Sequence, residues 1–236
     1  MRPFDSSKRR SIREECIMGQ YYKPTNVDKM EYLYSHDFDN GLKLMEHSYI
    51  GNNFVGAVER LLSPKGNWHR CHLVWAGDYM DEGLFLPEGV VCEDGDGKKY
   101  VPNLYGYTEE NGKNASGHES DWNEEYDVRR AKADKATKIF AMTLPKAGTI
   151  LVNWTKGVYL DLTKEEPFEN YNGNDWTIHP LPILTCSGNG RGGGDFHTDN
   201  DNEELVGSWA GDEISIEYEA PEGLEQLEPM NFREDR

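Results

Sequence analysis

The chain has 236 residues, of which 36% are hydrophobic and 29% charged, and its formal net charge is −18. A field of that sign repels DNA, RNA and anionic lipid, which excludes ordinary nucleic-acid and membrane-surface binding and suits a cationic partner. Six Trp, thirteen Tyr and eight Phe still supply enough large apolar surface for a core, in one large domain or two small ones.

The acidity is uneven. From Asp199 to the C-terminus thirteen acidic residues stand against two arginines, whereas residues 1–17 carry five basic and three acidic ones. Those first residues lack periodicity and read as a disordered arm, because β-type patterning begins abruptly at Met18. "QYYKPTNVDKMEYLYS" then reads as two strands around an Asn-Val-Asp-Lys turn. Leu42, Met45 and Tyr49, then Phe54, Val55, Val58, Leu61 and Leu62, recur at helical spacing, broken at Gly51. "HRCHLVWAG" is a strand and "GVVCEDGDGKKYVP" a hairpin with a Gly-Asp-Gly tip. Residues 105–136 are polar and read as a long connection, helical from Glu124 onward. "KIFAMTLP", "GTILVNWTKGVYLDL", "HPLPILT" and "DEISIEYEAP" read as strands, and the last dozen residues as a frayed tail.

Two echoes suggest an internal duplication. "NVDKMEYLY" at 26–34 matches "NWTKGVYLD" at 153–161 in its Asn, Lys, Tyr and Leu, and "NWHRCHLVW" at 67–75 parallels "SWAGDEISI" at 208–216. The expected fold is therefore α+β and mainly antiparallel, built from two related halves with one or two helices in the first. Its single domain spans residues 18–220, with halves at about 18–104 and 137–220 and an acidic tail at 221–236. Together with "VWAGDYMDEG", "GNGRGGGDF" and "VGSWAGDEISIE", the hairpins resemble a family of uncharacterised proteins of bacteria, phages and some eukaryotes. That resemblance covers residues 18–86 and 147–220; it supports these boundaries and implies no activity.

Chemistry is sparse. Cys16, Cys71, Cys92 and Cys186 form no CxxC pair, and no apolar run approaches the ~18 residues of a membrane span, so a cytoplasmic protein with reduced thiols is expected. "HDFDNG" (His36, Asp37, Asp39), with His47 further on, gathers metal-capable groups. On a strand, however, His69 and Cys71 would share one face while His72 points away, so no compact metal site is encoded there. The acidic strings lack calcium-loop spacing, and no GxSxG or Cys/His nucleophile signature occurs. No metal and no cofactor is expected.

The strongest candidate is the glycine-rich stretch Gly190, Arg191, Gly192, Gly193, Gly194 and Asp195, with Asp78, Trp209 and Asp212 of the two Trp-Ala-Gly-Asp elements. Converging backbone N–H groups and one Arg could cradle a phosphate, but the stretch has neither the P-loop ending nor a following helix. The competing reading is a tight loop braced by Arg191 on Asp195 or Asp212. The leading function is accordingly an acidic binding protein, of inhibitor or immunity type, docking on a basic protein; DNA mimicry is a narrower version. The alternatives are a small-molecule or nucleotide-binding enzyme using residues 188–195 between the halves, and a purely structural protein.

Overall fold

The computed structural model describes residues 19–118, 125–169, 175–198 and 202–233. The N-terminal arm of residues 1–17 lies outside them. In chain order the strands are β1 (Tyr22–Asn26), β2 (Glu31–Tyr32), β3 (Cys71–Gly77), β4 (Cys92–Glu93), β5 (Lys99–Tyr100) and β6 (Lys113–Asn114) in the first part. They continue as β7 (Ile150–Asn153), β8 (Val158–Asp161), β9 (Phe168–Glu169), β10 (Asp175–Trp176), β11 (Cys186–Ser187), β12 (Glu213–Glu217) and β13 (Glu225–Gln226). The helices are α1 (Leu44–His47), α2 (Asn53–Leu62), α3 (Leu104–Asn111), α4 (Tyr126–Thr143) and α5 (Pro180–Thr185). The fold is α+β.

One mixed, mostly antiparallel sheet runs β13-β8-β7-β12-β3-β1-β2-β6, with β11 added alongside β3. Because side chains alternate along a strand, β3 turns Cys71, Leu73 and Trp75 to one core and Val74 and Ala76 to another. Both faces are covered, so β3 reads as a nearly continuous apolar run. On the first face α2 packs against β12 and α5 against β3; on the second, α3 lies against β1 and β3. Helix α2 forms because its apolar residues recur along one side, and Asn52 caps it by accepting from the N–H of Phe54 (2.8 Å) and Val55 (3.1 Å). Such a cap contributes about 1 kcal/mol.

The two sequence echoes occupy corresponding places in this pairing. Asn26 ends β1 and its side chain accepts from Lys29 N (3.2 Å); Asn153 ends β7 and accepts from Lys156 N (2.9 Å). Asn26 lies opposite Leu73 of β3, and Asn153 opposite Ile214 of β12. The buried Trp68 donates its N–H to Leu61 O near the end of α2, as Trp209 does to Leu184 O near the end of α5. The correspondence stops there. Helix α2 has ten residues against six in α5, and β11 with its glycine loop has no partner segment in the first part. Internal duplication is not shown.

Three expectations are corrected. The "KIFAMTLP" strand is instead the last turns of α4, where Ala133 and Phe140 are buried at helical spacing. Arg60 of α2 ends that helix by donating to the carbonyls of Ala141, Leu144 and Pro145 at 2.6–2.9 Å. "HPLPILT" is α5, not a strand: both prolines fall in its first turn, where no N–H is needed, and His179 caps Leu181 N (3.1 Å). Helices therefore occur in both parts of the chain. Residues 225–233, the described part of the expected frayed tail, are docked. There β13 pairs with β8, Glu165 accepts from Met230 N and Asn231 N, and the buried Phe232 meets Phe196 edge to face.

Candidate functional site

Strand β11 runs parallel to β3, and the glycine-rich loop leaves its carboxyl end beside the loop that leaves β3. In open sheets, ligands favour crevices at such strand ends. The loop is closed at its base by Asn189, which donates to Phe196 O (2.8 Å) and accepts from Phe196 N (2.9 Å). Its backbone N–H groups do converge on one point, and that point is Asp195. The Oδ2 atom accepts from Gly190 N (2.7 Å), Arg191 N (2.9 Å) and Gly192 N (3.0 Å), while Oδ1 accepts from the Tyr22 hydroxyl (2.8 Å). A buried carboxylate of the chain itself fills the nest, which leaves the N–H groups no capacity for an external phosphate. Burial, and then the neighbouring Asp195, push the Tyr22 hydroxyl far above the usual tyrosine range, so it stays a proton donor. Gly192 is required by close approach: a Cβ there would lie 2.8 Å from Gln20 N.

The loop is further sewn to neighbouring segments through Gly193 O, which accepts from Gln20 N (3.1 Å), and Gly194 O, which accepts from Met45 N (3.2 Å). Arg191 is a brace, bonded to Asp195 through its backbone N–H alone, and its guanidinium pairs with neither Asp195 nor Asp212. Its guanidinium forks onto Asp81 (2.6 and 3.0 Å) and also donates to Tyr79 O (2.8 Å). That hydrogen-bonded pairing holds the Asp81 carboxyl below the ordinary range.

The other residues singled out from sequence disperse. Asp78 accepts from Tyr21 N (3.0 Å), and burial raises its carboxyl. Asp212 accepts from Asn153 Nδ2 (2.7 Å) and lies 3.4 Å from Lys156 Nζ, at the other hairpin. Trp209 is core. His69 pairs with Glu217 and His72 with Asp28, while Cys71 is buried in the first core with its thiol pushed up.

Two features escaped sequence reading. Arg191 holds the root of an arm, residues 81–101, that carries the β4–β5 hairpin and is pinned at its neck by Gly83 N donating to Pro102 O (2.9 Å). No residue of this arm is buried, and Leu84, Val91, Tyr100 and Val101 are each at least 40% exposed. The same stretch carries six acidic and two basic residues. The second is Lys23, fully buried beneath α3 between the rings of Tyr32 (4.4 Å) and Tyr105 (4.1 Å), with no hydrogen-bond acceptor for its amine. Burial lowers this amine to about 8.

Beside the glycine loop opens a crevice of about 940 Å³, bounded by Phe85, Ser187, Asn189, His197, Glu203 and Ala210 among others. Among the described residues, no helix is long and apolar enough to cross a membrane. No family model, curated protein or solved structure matches the chain, so the resemblance carried by the hairpin, glycine-rich and Trp-Ala-Gly-Asp motifs rests on those residues alone.

Proposed function

We propose that the protein is an acidic binding protein that docks through the arm of residues 81–101 onto a basic protein surface, as an inhibitor or immunity-type protein would. The observation that carries this reading is the arm itself: a run of 21 residues without a buried one, with four large apolar side chains exposed in a stretch of six acidic and two basic residues. An apolar centre with a charged rim is the usual anatomy of a docking patch. The net charge of −18 complements a cationic partner and speeds encounter. In this reading the glycine loop is a platform. Asp195 gathers its N–H groups, the loop aims Arg191 outward, and Arg191 fixes the root of the arm, so that docking need not order it first.

The test is association with a panel of basic nucleases, followed by biolayer interferometry in rising salt. Binding by the parent should be lost in a Val91→Asp/Tyr100→Ser variant with unchanged melting, and the association rate should fall at least about tenfold between ~50 and ~300 mM salt. Equal binding by the arm variant, or an association rate indifferent to salt, refutes the reading.

A further inference from the structure

We infer that the crevice beside the glycine loop is a small-molecule site that takes flat, cationic organic compounds and rejects anions. Its volume of about 940 Å³ matches that of ligand sites, and it opens at the carboxyl ends of the parallel pair β3 and β11. Phe85 belongs both to this crevice and to the docking arm, but the crevice is tested without touching Val91 or Tyr100, so the two readings fail separately.

The chemistry of the walls selects the ligand. The glycine-loop groups that would hold a phosphate are already committed. The N–H groups of Gly190, Arg191 and Gly192 go to Asp195, and the Arg191 guanidinium goes to Asp81 and Tyr79 O. No Lys or Arg lines the crevice among the described residues. Glu203, Ser187, His197 and Phe85 are among the residues that line it. Glu203 can accept from a cation, and an aromatic face adds a cation–π attraction.

Phe85 is held there deliberately. Its backbone adopts φ +59°, a left-handed conformation that a bulky residue rarely occupies, so the surrounding structure must stabilise it. Its ring also lies against Gly211, where a Cβ would come within 2.3 Å of Phe85 Cε1. Only glycine admits that approach. An aromatic wall in a strained conformation near an acidic side chain, with no Lys or Arg among the described lining residues, is the arrangement a planar cation fits.

Benzamidine is the probe, with benzoate and inorganic phosphate as its anionic counterparts. In amide NMR spectra benzamidine should shift Gly188, Gly190 and Gly207, while benzoate and phosphate leave them in place. Glu203 is exposed, so Glu203→Gln should fold normally and weaken benzamidine about two- to fivefold. Ala210→Trp, which fills the crevice, should abolish the shifts. The inference fails if benzoate binds as well as benzamidine, if the three glycine amides do not move, or if Glu203→Gln binds unchanged.

Discussion

Replacing Asp195 by Ala removes the acceptor on which the glycine loop is organised. Three backbone N–H groups and the Tyr22 hydroxyl then lose their partner in a site where Asp195 itself is 1% exposed. Each buried donor left unmade costs about 1–3 kcal/mol, but the loop can relax and admit water, so the sum should settle near ~3–5 kcal/mol. That is a large part of the ~5–15 kcal/mol by which domains are stable. Asp195→Asn is the control. Its amide oxygen can still accept from the three N–H groups, and its NH₂ can donate to the Tyr22 oxygen, whose hydroxyl is free to turn. Only the charge assistance is lost, so Asn should cost about 1–1.5 kcal/mol. Urea unfolding followed by tryptophan fluorescence reads both. The organising role is refuted if Ala falls within ~1 kcal/mol of the parent, or if Asn is as damaging as Ala.

Acid should destabilise the protein through His47, whose Nδ1–H donates to Gly41 O while Nε2 accepts from Trp75; burial lowers it to about 4 from 6.5. The unfolded chain binds more protons in that window, so stability present above pH 6.5 should fall as pH drops toward 4, by up to about 3 kcal/mol. His47→Gln, which keeps an acceptor for Trp75, should lose that part of the pH profile in urea titrations. Lys23 in the fold loses its proton near 8 rather than 10.5, so below 8 it carries a buried charge that costs about 3 kcal/mol at pH 7, partly offset by the two ring contacts. Lys23→Met should therefore stabilise by about 1–2 kcal/mol at pH 7, with the gain shrinking as pH rises from 8 to 10.5. A Met variant less stable than the parent at pH 7 would contradict this account.

The elements readable from sequence are those whose hydrogen bonds close locally. The turn after β1 needs only Asn26 and Lys29, and the start of α2 only Asn52 and its next three residues. What escaped depends on partners far along the chain. Helix α4 runs on to Thr143 because Arg60, more than 80 residues earlier, satisfies its last carbonyls. The C-terminal stretch docks because Glu165 and Phe196 receive it. The glycine loop shows the division most clearly. Its composition dictates converging N–H groups whether the anion comes from outside or from the chain. Tertiary structure chose the chain's own Asp195, secured by Tyr22 from 173 residues away, and turned Arg191 to Asp81. The nest and the carboxylate that fills it close within the loop, whereas the Tyr22 hydroxyl and the Asp81 carboxylate that fix the loop come from far along the chain.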